Sequence, residues 1–248
     1  MVQFETQKLG TVLIVSRDDV TSSQISDVLR THGLSVEHCL DVPAALDRLT
    51  RRKFEAVVVD LAFNYQAVVC LQQIRASSSN RTAVTFAITG GSDETARGLK
   101  DGFSFALEKP LTSDSITRTL KVAYGLIIRE RRRYFRYPVD VPAVLCRNKA
   151  QEVYGRTINI SESGIALRMS TALSCGDEGA VEFTLPDPPM QVKAECRVCW
   201  CNSDGEAGLA FLFLPLDMAS QLQAWLAQKL EQQMPPSVAD RFWQCTQS

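Results

Sequence analysis

Thr11-Val12-Leu13-Ile14-Val15 is the stretch that decides the fold of the first half of the chain. It is a continuous apolar run rich in β-branched residues, which is typical of a strand buried on both faces of a parallel sheet. A helical pattern follows over 22–31, where Ile25 and Leu29 recur at helical spacing before Gly33 ends the helix. The stretch therefore predicts the first strand and helix of an alternating α/β unit.

The same alternation continues to residue 128. Further strands are predicted over 35–39, 56–60, 83–88 and 103–107, and further helices over 43–51, 66–76, 94–100 and 113–128. Five strands alternating with five helices predict an α/β doubly wound parallel five-stranded sheet of flavodoxin-like type. Such sheets place their sites beyond the carboxyl ends of the strands.

Three polar residues stand at those strand ends. Asp60 closes the third strand, Thr89 follows the fourth, and Lys109 follows the fifth. This set and its spacing resemble the receiver domain of two-component signalling, over residues 8–128. The resemblance implies that the aspartate is phosphorylated, that the threonine and lysine coordinate the phosphoryl group, and that two acidic residues after the first strand hold magnesium.

The sequence departs from this pattern at the metal site. Ser16 and Arg17 stand where the acidic pair is expected, and Asp18 falls one position later. Magnesium prefers carboxylate oxygens, whereas Arg17 brings a positive charge that could pair with Asp60 in place of the metal. We therefore expect a degenerate pseudo-receiver that is not phosphorylated and holds no magnesium, with these pocket residues: Asp18, Asp60, Thr89 and Lys109. A purely structural ion pair between Asp60 and Lys109 stays an alternative.

The pattern changes after Pro138. Six short strands are predicted over 141–147, 153–160, 164–169, 178–185, 192–201 and 207–214. Regularly spaced short strands predict a small antiparallel six-stranded β-barrel. A C-terminal helix is predicted over 217–231, with an apolar stripe packed against the barrel. Residues 233–248 are predicted to be a C-terminal tail.

Between the two halves lies a concentrated cationic stretch. Five arginines fall within the eight residues from Arg129 to Arg136, in a chain whose net charge is -1. The guanidinium group binds phosphate oxygens and the O6 and N7 atoms of guanine. Downstream, Asn159 and Ser161 lie two apart on a predicted strand and so share a face. Gly164 follows where a tight turn needs a residue without Cβ.

The Arg-x-x-x-Arg pair followed by Asn-x-Ser-x-x-Gly resembles the signature of the PilZ domain, a bacterial receptor for cyclic di-GMP, over residues 129–232. The resemblance implies six ligand-binding residues: Arg131, Arg132, Arg136, Asn159, Ser161 and Gly164. We expect Arg132 and Arg136 to clamp the ligand from the loop before the barrel, and Asn159 and Ser161 to hydrogen-bond a guanine. A solvated helix face is the alternative, because the arginines also fall at helical spacing.

Composition and cysteine spacing bear on four further properties: DNA binding, membrane spans, localisation and metal binding. Charge is balanced in both halves, so we expect no DNA binding. No apolar run is long enough to span a membrane and no signal peptide is recognised, which predicts a cytoplasmic protein. Eight cysteines are present, and Cys196-x-x-Cys199-x-Cys201 invites a zinc interpretation. Because no second Cys or His pair lies nearby, we expect no metal.

These observations predict a cyclic di-GMP-binding signalling effector that is not an enzyme and has no cofactor. No flexible linker separates Ile128 from Arg131, so the PilZ barrel is expected to be coupled to the pseudo-receiver, which docks an unidentified protein partner. Whether the chain forms a homodimer is left open. Two alternatives stay open: a phosphorylation-dependent response regulator switched at Asp60, and a PilZ interaction protein that binds no nucleotide.

Overall fold

A computed structural model describes residues 10–147 and 151–232. The predicted tail over 233–248 lies outside the described residues. The chain separates into two compact units, one ending at Arg131 and the other covering Arg132–Gln232.

The first unit alternates strands and helices throughout. Its elements are β1 (Thr11–Val15), α1 (Asp19–Thr31), β2 (Ser35–Cys39), α2 (Val42–Arg51), β3 (Ala56–Asp60), α3 (Tyr65–Ala76), β4 (Val84–Thr89), α4 (Ser92–Asp101), β5 (Phe105–Glu108) and α5 (Ser113–Tyr134). The five strands are parallel in the order β2-β1-β3-β4-β5. This is the flavodoxin-like order, so the predicted fold is confirmed. The carboxyl ends of β1, β3 and β5 meet at one edge of the sheet, where the predicted pocket lies.

Local sequence signals account for the start and end of α1. The carboxylate of Asp18 caps the helix by accepting a hydrogen bond from the Thr21 amide at 3.1 Å. At the other end, Gly33 has a φ of 77°, in the left-handed region that glycine adopts without steric cost. Asp18 therefore marks the start of α1, and Gly33 forms the turn that leads from α1 into β2.

Helix α5 is longer than predicted, because it continues past Ile128 to Tyr134. Its buried face extends through Ile127 and Ile128 to Glu130, so packing stabilises the added turns. The expectation that the clamping arginines lie in a loop is therefore wrong for Arg132, which is helical.

Two buried carboxylates lie at the amino-terminal edge of the sheet. Glu130 accepts hydrogen bonds from the Lys53 ammonium and, at 2.7 Å, from the Thr82 hydroxyl. Glu55 accepts a hydrogen bond from the Thr11 amide at 2.6 Å. Burial raises the pKa of Glu55, against the opposing effect of that hydrogen bond.

The second unit is a closed barrel with one helix. Its elements are β6 (Tyr137–Pro138), β7 (Pro142–Arg147), β8 (Gln151–Ser161), β9 (Gly164–Met169), β10 (Glu178–Leu185), β11 (Met190–Cys201), β12 (Glu206–Phe213) and α6 (Leu216–Gln232). The sheet order is β6-β8-β7-β10-β11-β12-β9, and pairing of β8 with β9 closes the six longer strands into a barrel. The predicted six-stranded barrel and C-terminal helix are confirmed. The two-residue strand β6 was not predicted, because so short a strand has no periodicity.

Helix α6 packs against the barrel through an apolar stripe that ends in an aromatic anchor. Leu222, Leu226 and Leu230 are buried along this stripe. Trp225 is also buried, and its indole Nε1 donates a hydrogen bond to the Pro186 carbonyl at 2.9 Å. No helix among the described residues is long and apolar enough to cross a membrane.

Candidate functional site

Strand β6 brings one predicted ligand arginine next to the predicted asparagine. Tyr137 pairs with Ile160 and Pro138 with Asn159, in antiparallel register. Arg136 directly precedes this pairing, and its Nη1 donates a long hydrogen bond of 3.5 Å to Asn159 Oδ1. The Arg136 side chain is exposed. A cation and an amide are therefore presented together at the surface.

Arg132 is held by a carboxylate that sequence reasoning missed. Its Nη2 lies 3.3 Å from Glu231 Oε1, near the end of α6, and the two side chains are 32% and 26% exposed. The Glu231 carboxylate lies against the guanidinium in the way that a phosphate group would. No sequence motif marks Glu231, since its closeness to Arg132 arises only when α6 folds back along the barrel.

Arg131 belongs to the first unit. Its Nη1 lies 3.8 Å from Glu55 Oε1, and its buried Nε has no hydrogen-bond partner among the described residues. Glu55 is 3% exposed. Arg131 therefore serves as a counter-charge to a buried carboxylate.

The turn between β8 and β9 uses its serine and glycine internally. The Ser161 hydroxyl is buried and donates to the Gly164 carbonyl at 3.1 Å, rather than being presented on the barrel surface as expected. A Cβ on Gly164 would lie 2.3 Å from the Leu209 carbonyl oxygen of β12. Glycine is thus required by close approach of a neighbouring strand, and not by the tight turn that the sequence suggested, since Gly164 has no positive φ.

An aromatic cluster fixes α6 beside β6. The Tyr137 and Trp225 rings meet edge to face at 5.2 Å between centroids. The Lys229 ammonium is 5.2 Å from the Trp225 centroid and 5.9 Å from that of Tyr137, within cation–π range. Lys229 is 7% exposed. This cluster positions the end of α6, and with it Glu231, beside the arginine site.

A cavity of about 590 Å³ runs along β8 and β9 next to this site. Two arginines line it, each already paired: Arg156 Nε lies 2.6 Å from Asp140 Oδ1, and Arg168 Nη2 lies 2.8 Å from Glu206 Oε1. Because both guanidinium charges are already paired, this cavity is a weaker anion site than exposed Arg136.

The polar groups of the pocket at the carboxyl ends of β1, β3 and β5 are hydrogen-bonded to one another. Asp60 is 5% exposed, and its Oδ2 accepts hydrogen bonds from the Ser16 hydroxyl at 2.9 Å and from Lys109 Nζ at 3.4 Å. Its Oδ1 accepts from the Ala62 amide at 3.0 Å. Asp60 and Lys109 are therefore brought together as the sequence predicted.

Asp18 lies on the other side of the same lysine. Its Oδ2 is 3.0 Å from Lys109 Nζ, and it also accepts a hydrogen bond from the Thr21 hydroxyl at 2.6 Å. The hydrogen bonds from Thr21 come first among the causes that lower the pKa of Asp18, followed by that from Lys109. Partial burial opposes the charged form of Lys109, yet the hydrogen bond with Asp18 and the charge of Asp60 raise its pKa.

One expectation for this pocket is wrong. The Arg17 guanidinium does not pair with Asp60 but stacks 5.1 Å above the Phe63 ring, because Arg17 faces solvent while Ser16 faces the pocket. The Thr89 hydroxyl hydrogen-bonds that of Thr95 at 2.8 Å. The structure thus brings Asp18, Asp60 and Lys109 together, and the Thr89 carbonyl accepts a hydrogen bond from the Lys109 amide at 2.8 Å.

The cysteines of β11 do not converge. Cys196 is buried and donates to the Gly179 carbonyl at 3.4 Å, whereas Cys199 is exposed and donates to the Arg197 carbonyl at 3.7 Å. Across residues 10–147 and 151–232, no group of three or more His, Cys, Asp or Glu side chains is arranged to hold a metal ion.

Comparison with known proteins supports the two-part organisation. Residues 130–228 match the family model of the PilZ domain. No curated protein sequence matches the chain.

Several solved structures are similar to one half or the other. A putative response regulator from Chloroflexus aurantiacus J-10-fl is 22% identical over 47% of this chain and 97% of its own, with a TM-score of 0.42. The chemotaxis response regulator CheY4 of Vibrio cholerae is 20% identical over 45% of this chain and 96% of its own, with a TM-score of 0.42. The PilZ domain of CeSA from a cellulose-synthesizing bacterium is 16% identical over 38% of this chain and 97% of its own, with a TM-score of 0.32.

The chain thus joins a first unit with a flavodoxin-like parallel sheet to a region, residues 130–228, that matches the PilZ domain.

Proposed function

We propose that this protein is a cyclic di-GMP-responsive signalling effector whose PilZ domain binds the nucleotide and whose receiver-like domain docks a protein partner in the cytoplasm. The observation that carries the proposal is the juxtaposition of exposed Arg136 with Asn159 inside a region that matches the PilZ family. An arginine supplies donors for phosphate oxygens and for guanine, and an amide supplies both a donor and an acceptor for a base edge.

In this proposal three of the six predicted residues contact the ligand, two hold the turn that presents Asn159, and Arg131 acts between the domains. Arg132, Arg136 and Asn159 contact the ligand, with Arg132 exchanging the carboxylate of Glu231 for a phosphate. Ser161 and Gly164 hold the β8–β9 turn that presents Asn159, because their groups are engaged within the barrel.

Arg131 would couple ligand binding to the receiver-like domain. It pairs with Glu55 of that domain and is followed directly by Arg132 on the same helix. If Arg131 turns to contact the ligand, Glu55 loses the guanidinium that lies 3.8 Å from its carboxylate. The end of α5, which carries Arg131, then changes its packing. We expect added cyclic di-GMP to change hydrogen exchange in α5 as well as around Arg136. Changes confined to the barrel strands would contradict coupling.

The receiver-like pocket is proposed to be a docking scaffold rather than a phosphorylation switch. The donor set does not fit magnesium: Ser16 donates its hydrogen to Asp60, and Asp18 is engaged by Thr21 and Lys109. The Lys109 ammonium lies between the two carboxylates, at 3.0 and 3.4 Å, and supplies the positive charge there. We accordingly assign the protein no catalytic step.

Titration calorimetry of the full chain with cyclic di-GMP tests the proposal. Saturable binding is expected, and it should be much weaker for cyclic di-AMP, which keeps the phosphates but lacks the guanine O6 acceptor that arginine recognises. No heat and no thermal shift with cyclic di-GMP would favour the alternative of an interaction protein that binds no nucleotide. Equal affinity for both nucleotides would indicate recognition of phosphate alone.

A further inference from the structure

Two exposed thiols meet on the barrel surface. Cys175 lies in the connection between β9 and β10, and Cys201 is the last residue of β11. Both are exposed, and their sulfur atoms are 3.8 Å apart, which is van der Waals contact. A disulfide holds the sulfurs at about 2 Å, so oxidation would bring these two sulfurs closer by about 2 Å.

Backbone hydrogen bonds hold the two thiols near each other. The Gly176 amide donates to the Val198 carbonyl at 2.8 Å, and the Val198 amide donates to the Asp177 carbonyl at 2.8 Å. Asp177 is further held by Arg147, whose Nη2 lies 2.9 Å from its Oδ2. The connection that carries Cys175 is therefore fastened to the strand that carries Cys201.

The other cysteines of this strand are not alternatives in the folded protein. Cys199 is equally exposed, but its thiol donates to the Arg197 carbonyl, and Cys196 is buried. The pairing of β11 with β12 shifts register between Val198 and Trp200, so Cys199 lies at an irregularity that interrupts the alternation of side chains. Cys199 thus provides a matched internal control.

We propose that Cys175 and Cys201 are a redox modification site that forms a reversible intramolecular disulfide when the protein meets hydrogen peroxide. In the first step the Cys175 thiolate attacks a peroxide oxygen; an S–O bond forms, the O–O bond breaks, and hydroxide leaves and takes up a proton as water. In the second step the Cys201 sulfur attacks the Cys175 sulfur; the S–S bond forms, the S–O bond breaks, and the hydroxide leaves with the Cys201 proton as a second water. Two electrons pass from the sulfurs to the peroxide.

The order of these steps agrees with the contact between the thiols. The hydrogen bond with Cys175 is the main cause that raises the pKa of Cys201, followed by burial. The raised pKa favours the thiol form of Cys201, in keeping with its place in the second step. Because both sulfurs are exposed, a cellular thiol reductant can reach the bond and reverse it, as in disulfides that sense oxidants in reducing compartments.

The test uses the full chain, reduced, desalted and treated with about one equivalent of hydrogen peroxide. Free thiols are then alkylated, and the protein is digested for mass spectrometry. We expect a cross-linked Cys175–Cys201 peptide that lacks the mass of two hydrogen atoms and disappears after dithiothreitol, while Cys199 is recovered alkylated. The oxidised protein should also unfold at a higher temperature, because the cross-link restricts the unfolded chain.

Three variants and a denatured sample make the outcome decisive. Cys175→Ser and Cys201→Ser should abolish the link, whereas Cys199→Ser should leave its yield unchanged. In urea the preference for the Cys175–Cys201 pair over the Cys175–Cys199 pair should be lost, because the fold creates that preference. Equal yields of both pairs in the folded protein, or oxidation of a single cysteine to the sulfinic acid without a link, would overturn the proposal. Circular dichroism of each serine variant confirms that it is folded.

Discussion

The pocket at the carboxyl ends of β1, β3 and β5 and the arginine site of the second unit differ in how their charged groups are satisfied. In the pocket, both oxygens of Asp60 accept internal hydrogen bonds and Lys109 bridges two carboxylates. At the arginine site, exposed Arg136 contacts the neutral amide of Asn159. A pocket whose charges are already neutralised offers little to a ligand, whereas Arg136 beside a neutral partner can still bind an anion, although Arg132 of the same site is paired with Glu231. Four predictions test or sharpen this contrast.

The largest expected effect is an all-or-none difference in phosphorylation. Incubation of the unaltered protein with magnesium and a small phosphodonor should leave Asp60 unmodified, because phosphoryl transfer needs a metal to neutralise the transferred group. Intact mass spectrometry measures this directly. The double variant Ser16→Asp with Arg17→Asp supplies the missing carboxylates and should bind magnesium measurably. Stoichiometric phosphorylation of the unaltered protein would show that Asp18 reaches the metal and that the pocket is a working receiver.

The next effect is a large loss of cyclic di-GMP affinity in Arg136→Ala. Removing a charge-assisted contact should cost about 1.5–3 kcal/mol, which weakens binding roughly ten- to a hundredfold. Arg129→Ala is the control, because Arg129 lies on the exposed side of α5 one turn before Arg132. Calorimetry should show near-normal binding for that variant. Equal losses in both would mean that the arginines act as a diffuse cationic surface.

A smaller and opposite effect is expected at Glu231. Glu231→Gln removes the carboxylate that competes with a phosphate for Arg132, at 3.3 Å in the described structure. A partly exposed ion pair contributes up to about 1 kcal/mol, so affinity should rise about two- to fivefold. Glu195→Gln removes the same charge from an exposed position on β11 and should leave the affinity for cyclic di-GMP unchanged. Tighter binding in both variants would point to net charge alone, and weaker binding in Glu231→Gln would give Glu231 a supporting role instead.

The smallest effect concerns acid stability and tests whether Asp18 is engaged as the geometry indicates. The pKa of Asp18 is lowered from 3.8, mainly by hydrogen bonds from Thr21, so the unfolded chain binds the proton more readily. Its stabilising contribution is therefore present above 3.8 and is lost as the pH falls below that value. The side chain is 38% exposed, which limits the contribution to less than about 1 kcal/mol.

Urea unfolding between about pH 5 and about pH 3 should show the stability advantage of the wild type over Asp18→Asn shrinking as the pH falls. Asp19→Asn, at the exposed neighbouring position, should track the wild type. Parallel curves for all three proteins would mean that Asp18 is not held by Thr21 and Lys109.

Patterns in the sequence were enough to specify the two folds. Continuous apolar strands such as Thr11–Val15 and the alternation with helices specify a parallel sheet, because hydrophobic periodicity follows backbone geometry directly. The same holds for the barrel strands and for α6. The missing acidic pair at Ser16 and Arg17 was also visible, since a metal site depends on residue type at fixed offsets from a strand end.

Only the tertiary structure decided which partner each charged or polar group has. Arg17 stacks on Phe63 and leaves Asp60 to Ser16 and Lys109, a choice set by which side of the chain faces the pocket. Glu231 reaches Arg132 from 99 residues away in sequence. The need for glycine at position 164 arises from a backbone carbonyl of β12. The contact between Cys175 and Cys201 arises because the β9–β10 connection is hydrogen-bonded to β11. Periodicity describes one element at a time, whereas these contacts join elements that meet only when the barrel closes and the sheet is packed.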